Sequence, residues 1–116
     1  MPHRALLGLI ETAATEILTL AGEMEQHDFF DTRLTRAETV KRLRRAADAA
    51  AKLPAALHEA IPEIDWAQWT RLARELAAAG ASQAALWAAI RDLTPLTLQW
   101  LRVYRDAQPE LFPPAP

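Results

Sequence analysis

The side chains of this sequence best suited to move protons near neutral pH are its three histidines, His3, His27 and His58. The chain contains no cysteine, which excludes thiolate nucleophiles, thiolate zinc sites and disulfides. The histidines lie far apart, and none shares a helix face with another histidine or a carboxylate at metal-ligand spacing. In "HDFFD", His27 with Asp28 and Asp31 could form a metal cluster or a base with its orienting carboxylate, but polar loop residues are more often simply solvated. We therefore predict no metal site and no cofactor.

The second group with chemical potential is a run of cations in "KRLRRAADAAAK". Its members Lys41, Arg42, Arg44 and Arg45 could bind phosphate backbones, because each phosphate that they neutralise releases counterions. At about 100° per residue they spread over more than half of a helix circumference. Residues 1–32 hold one cation and six carboxylates, whereas residues 33–52 hold seven cations and two carboxylates. We therefore favour pairing between an acidic first helix and a basic second helix over an RNA-binding track.

Length and composition bound the class of protein. The 116 residues suffice for one domain, and a composition that is 51% hydrophobic and 24% charged, with abundant alanine and leucine, favours helices. The net charge of −2 predicts neither a nucleic-acid binder nor a membrane-surface protein. No apolar run approaches the roughly 20 residues that span a bilayer, and the N-terminus lacks a cleavage signal. We expect a cytoplasmic protein without membrane contact.

Apolar residues recur at three- and four-residue steps along most of the chain, the pattern of amphipathic helices. A first helix is predicted from Arg4 to Met24, followed by a break at "EQHDFFDTRL". The motif "TRAE" then predicts a capping box, with Thr35 as the N-cap, Glu38 reaching back, and a second helix that starts near Arg36.

Later helices are predicted from capping residues and prolines. "PAALHEA" favours a short connector helix, Asp65 caps a third helix, and Gly80 ends it as a left-handed C′ residue. Ser82 caps a fourth helix, which Pro95 bends. The prolines of "QPELFPPAP" predict an extended or disordered tail. The predicted fold is all-α, an antiparallel up-and-down four-helix bundle over residues 1–108 with an irregular Pro-rich tail at 109–116.

Three sequence segments, taken together in their order and spacing, resemble the HepT-like members of the HEPN superfamily, the ribonuclease toxins of toxin–antitoxin pairs. They are "FFDTRLTRAETVKRLRRAADAAAKLPAAL", "IPEIDW" and "LWAAIRDLTPL", and the resemblance covers roughly residues 4–105. It implies a helical bundle, homodimers whose catalytic sites face one another, and a nucleotidyltransferase antitoxin as partner. The dense alanines also favour a dimer, because small side chains bury little apolar area each.

The resemblance implies a catalytic Arg, His and Tyr in the helix after "IPEIDW". Cleavage of RNA through its 2′-hydroxyl needs a group that moves the proton and a cation that steadies the phosphate. Aligned without gaps, those three positions hold Ala73, Ala78 and Gly80. No histidine follows His58, so Arg71 and Arg74 with His58 are the weak remaining candidates for a diverged site.

We therefore expect a HepT-like protein without the catalytic triad, which acts by binding a nucleotidyltransferase partner, RNA, or both. One alternative is an active, metal-independent endoribonuclease toxin with a diverged site. A second alternative is a helical interaction or assembly module. The family's tyrosine is the residue that the antitoxin adenylylates, and that modification is impossible at Gly80. Tyr104 is expected to be packed. The tryptophans are interpreted mainly as core or interface anchors, and Trp100, off the main stripe of its helix, could mark a partner surface.

Overall fold

The computed structural model describes residues 3–78 and 80–112, and within these ranges the chain is all-α with no strand. In this described part of the chain, seven α-helices follow one another, with a π-helical turn at Ala89–Leu93 and a 3-10 turn at Pro109–Leu111. The α-helices are α1 His3–Ala21, α2 Gln26–Asp31, α3 Arg33–Lys52, α4 Ala55–Ala60, α5 Trp66–Ala77, α6 Gln83–Ala88 and α7 Thr94–Ala107. None of the described helices is long and apolar enough to cross a membrane.

One hydrophobic core holds these helices together, with α3 packed between α1 and α5, and α1 also packed against α7. The α1 side contributes Leu7, Ile10 and Ile17, all fully buried. The α3 side contributes Leu43 and a set of buried alanines, Ala46, Ala47, Ala49 and Ala50. Because alanine is small, the backbones of α1 and α3 can approach closely. The contact is therefore stabilised by close packing of the two helices rather than by large side chains.

The region between the first two long helices differs from the prediction. The first helix ends at Ala21 rather than Met24, and the expected break contains a helix of its own, α2. Phe29 of α2 is fully buried and its ring packs against Phe30 and Trp87, at centroid distances of 5.0 and 5.7 Å. The break in periodicity was real, but one buried aromatic residue is enough to fix a short helix against the core.

The predicted capping box at the start of α3 is wrong. The helix begins at Arg33, and Thr35 lies inside its first turn. The flanking residue is Thr32, whose hydroxyl donates to the carbonyl oxygen of Asp28 at 2.7 Å and does not cap α3. Because α2 ends so close to α3, this threonine satisfies the end of the earlier helix instead.

The predicted starts of the connector, third and fourth helices are confirmed. Pro54 precedes α4, the side chain of Asp65 accepts from the N–H of Gln68, and that of Ser82 accepts from the N–H of Ala85. Gly80 is not the C′ residue. Helix α5 ends at Ala77, so Gly80 lies two positions past the flanking Ala78; its N–H donates to the carbonyl of Glu75, and its φ is +155°.

The bend predicted at Pro95 takes the form of the π-helical turn. The N–H of Thr94 donates to the carbonyl of Ala89, five residues earlier, and Pro95 occupies the first turn of α7. Proline has no N–H to donate and crowds the preceding turn, so widening that turn accommodates its ring without ending the helical path.

The start of the predicted tail is ordered, in contrast to the expectation. Pro109–Leu111 forms the 3-10 turn, and Phe112 is only 2% exposed within the same core as α1 and α7. Two arginines hold this segment: Arg4 Nε donates to the carbonyl of Glu110 at 2.9 Å, and the guanidinium of Arg105 lies 5.5 Å from the Phe112 ring centroid. The remaining residues, 113–116, lie outside the described part of the chain.

Candidate functional site

The orientation of α5 is fixed by its two tryptophans. The indole N–H of Trp66 donates to the carbonyl of Ile61 at 2.9 Å, and that of Trp69 donates to the hydroxyl of Thr97 at 2.9 Å. Both rings are buried, Trp69 completely. A buried indole that has found its hydrogen-bond acceptor holds a helix in one rotation about its axis. The residues opposite these rings therefore form the outer face of α5.

The three positions that should carry the catalytic triad lie at or beyond the second half of α5. Ala73 is half-buried, while Ala78 and Gly80 are exposed at the end of the helix. A methyl group or a hydrogen atom can neither transfer a proton nor bind a phosphate oxygen. None of the three positions carries a group that can act as an acid or a base.

His58 has a packing environment that accounts for its presence. Its Nε2 lies 2.9 Å from the carbonyl oxygen of Ala50 near the end of α3, and this oxygen also accepts from the backbone N–H of Leu53 at 3.3 Å. Its ring stacks on Trp66, with centroids 4.8 Å apart and planes 13° from parallel. The imidazole thus links the end of α3 to the start of α5 through a hydrogen bond and a stacking contact.

Arg71 and Arg74 are exposed on α5, and neither forms a salt bridge with a described residue. Arg71 lines an open groove of about 240 Å³ between α5 and the α6–π-turn segment. The other lining residues are Gln68, Leu72, Glu75, Ala85 and Ala89. The groove thus brings together a cation, a carboxylate and an amide over an apolar floor, and His58 does not line it.

Sequence reasoning missed Gln68 and Glu75 as neighbours of Arg71. Their spacing of three and four residues from Arg71 puts all three side chains on one helix face, and that signal was available. The small residues of α6 that complete the groove could not be identified, because periodicity does not tell which helices are neighbours.

The four cations proposed for nucleic-acid binding on α3 divide into two groups. Arg42 is half-buried and donates to Glu16 of α1 at 3.0 Å and to Glu38 at 3.1 Å. The hydrogen bond with Glu38 and the charge of Glu16 raise the pKa of Arg42 above its ordinary value. Arg42 thus realises the predicted pairing between the acidic first helix and the basic second helix.

The other three cations do not pair with α1. Arg44 donates to the carbonyl oxygen of Leu76 at 3.2 Å, which ties α3 to the end of α5. Lys41 and Arg45 are exposed, and neither has a salt-bridge partner within residues 3–78 and 80–112.

The His27 cluster and the last helix offer less chemistry. His27 Nε2 lies 3.3 Å from Asp28, both side chains being well exposed, and no three histidine, aspartate or glutamate side chains of the described residues are grouped to hold a metal ion. On α7, Tyr104 donates to Glu63 at 2.7 Å, a bond that raises the pKa of the tyrosine. Trp100 is half-buried beside that tyrosine, its ring centroid 6.5 Å away.

Comparison with known proteins adds no relative: no family model, curated protein or solved structure matches the chain.

Proposed function

We propose that this chain is a cytoplasmic HepT-like protein without catalytic activity, which acts in a toxin–antitoxin-type pair by binding a nucleotidyltransferase partner, RNA, or both. The observation that carries the proposal concerns the second half of α5 and the residues just past its end, where the expected triad positions hold Ala73, Ala78 and Gly80. The nearest histidine in sequence, His58, is bonded to Ala50 and stacked on Trp66. An enzyme that cleaves RNA without a metal needs a proton-transfer group at its site, and α5 contains neither the histidine nor the tyrosine that the resemblance implies for that role.

The proposed fold is the antiparallel four-helix bundle of that family, formed by α1, α3, α5 and the segment from α6 to α7. Two pairs of contacts support opposite directions for neighbouring helices. Ala50, late in α3, is linked through His58 to Trp66 at the start of α5, whereas Arg44, earlier in α3, bonds to Leu76 near the end of α5. Likewise, Arg91 donates to the carbonyl of Gly22 just past α1, while Arg105, fourteen residues later, pairs with Glu11 within α1.

A homodimer is part of the proposal. The buried alanines of α3 contribute little apolar area each, so a second copy would add the burial that a single small core lacks. The dimer is expected to place the two α5 faces near each other, as the resemblance implies.

The proposal is tested by purifying an affinity-tagged copy from the native host, with and without nuclease treatment, and identifying bound proteins by mass spectrometry. A nucleotidyltransferase retained after nuclease treatment would support an antitoxin partnership that does not depend on catalysis. Recovery of a single stable complex with neither nucleic acid nor a nucleotidyltransferase would contradict the proposal and favour a general assembly module. An untagged host extract passed over the same resin is the control.

A further inference from the structure

The outer faces of α3 and α5 together present an unusual concentration of positive charge. The two helices carry seven exposed cations, and we consider the five that lie near the contact between the helices: Lys41, Arg44 and Arg45 from α3, and Arg71 and Arg74 from α5. We call this set the α3–α5 cationic face.

The two halves of this face are adjacent because α3 packs against α5. The hydrogen bond from Arg44 to the carbonyl of Leu76 shows which positions of α3 and α5 lie side by side along the helix axes. Lys41 and Arg45 lie within one turn of Arg44, and Arg74 lies two residues before Leu76. At 1.5 Å per residue, these cations are all within about 5 Å of those positions along the helix axes. Arg71 lies about one turn before Arg74 in α5, beside the groove.

The charge of this face is not neutralised inside the protein. The carboxylates of α1 that form salt bridges pair with cations outside this face: Glu16 pairs with Arg42, and Glu11 pairs with Arg105. Two carboxylates, Asp48 and Glu75, lie on the same stretch of α3 and α5, and neither forms a salt bridge with a described residue. The face therefore keeps a net charge of about +3, although the whole chain is acidic at −2.

We infer that the α3–α5 cationic face binds the phosphodiester backbone of a single nucleic-acid strand. Arginine and lysine in a row of this kind gain affinity by displacing the counterions of successive phosphates. A single strand is favoured over a duplex, because the groove beside Arg71 has an apolar floor and the amide of Gln68, and only an unpaired base can enter it. This inference rests on the proposed binding role, and it requires neither the HepT relationship nor a nucleotidyltransferase.

The expected salt dependence follows from the number of cations. With about 0.7 counterions released per phosphate of a single strand, five contacts give a slope of log K against log salt near −3.5. Affinity should then fall about 100-fold between 50 and 200 mM salt. Loss of one contact should weaken binding about five-fold at 0.1 M salt and reduce the slope by about 0.7.

The test measures fluorescence anisotropy of short labelled oligonucleotides titrated with the purified chain over a range of salt concentrations. The probes are a single-stranded RNA, a single-stranded DNA of the same sequence and the corresponding duplex, so that the source of the phosphodiester backbone is distinguished. The key variants are Arg45→Gln and the double variant Arg71→Gln/Arg74→Gln, with melting temperatures measured to establish that each is folded. Arg102→Gln is the matched control, because Arg102 is an exposed cation on α7 without a described salt-bridge partner.

We expect about a five-fold loss for Arg45→Gln, about a 25-fold loss for the double variant, and no change for Arg102→Gln. Equal losses for Arg45→Gln and Arg102→Gln would overturn the assignment, since binding would then follow net charge alone. Equal affinity for the duplex would overturn the preference for an unpaired strand. Absence of binding to every probe, in a chain that still retains a nucleotidyltransferase, would refute this inference while leaving the proposed function intact.

Discussion

Replacing Phe112 with alanine tests whether the C-terminal segment belongs to the core. The ring is 2% exposed and lies under the guanidinium of Arg105. Truncating a buried phenylalanine to alanine costs about 3 to 5 kcal/mol in well-packed cores. Since Phe112 follows a single short 3-10 turn rather than a long helix, this segment can shift to fill part of the cavity, and we expect a loss near the lower limit, about 3 kcal/mol. For a domain of this size that corresponds to a fall in melting temperature of roughly 12 °C.

The assay is urea unfolding followed by tryptophan fluorescence, for which the chain provides four tryptophans. Val103→Ala is the control, because Val103 is 46% exposed on α7, and its truncation should cost about 0.5 kcal/mol or less. If Phe112→Ala is no more destabilising than Val103→Ala, the segment from Pro109 to Phe112 does not pack on the core in solution. The expectation of a disordered tail would then be right and the packing described above wrong.

Three further predictions follow from individual hydrogen bonds. Asp65→Ala should destabilise the fold by about 1 kcal/mol in urea unfolding because it removes a helix cap, whereas Thr35→Ala should be nearly neutral because Thr35 caps nothing; the reverse order would restore the predicted capping box. His58→Ala should cost about 1 kcal/mol in the same assay and leave nucleic-acid affinity unchanged, and a loss of affinity alone would give this histidine a functional role. The pKa of Tyr104, followed by ultraviolet absorbance of this single tyrosine, should lie above its ordinary value of about 10 and fall towards it in Glu63→Gln; equal values in both proteins would refute the bond.

The sign of the tyrosine effect follows from linkage. A raised pKa in the folded state means that the hydrogen bond to Glu63 favours the neutral phenol. The bond's contribution to stability is therefore complete below the pKa of the unfolded chain, near pH 10, and is lost as the pH rises through the folded value.

Local patterns predicted local structure well. Asp65 and Ser82 were identified as caps because a short polar side chain before an apolar helix has one favourable use, accepting from a first-turn amide. Pro95 was identified as a bend because it lacks an N–H, although the pattern could not tell a kink from a π-helical turn.

The predictions failed where a residue had two possible hydrogen-bond partners, or where packing against residues distant in sequence determined the local structure. Thr32 and Thr35 both suit an N-cap, and the choice depended on how close α2 ends, which periodicity does not reveal. Phe112 sits among prolines that discourage a helix, yet its ring is buried through contacts with residues distant in sequence. The cationic face could not be located either, because the separation of Arg42 from Lys41 and Arg45 depends on which side of α3 faces α1.

Metal-independent RNA cleavage is the measurement that tests the central claim most directly. The purified chain, in excess over labelled single-stranded RNA and in the presence of EDTA, is sampled over hours and analysed on denaturing gels. We predict that the RNA remains intact, even under salt conditions in which it is bound. Cleavage that is lost in Arg71→Gln or His58→Gln but retained in Arg102→Gln would contradict the account, because it would show an active site that α5 and α4 still form.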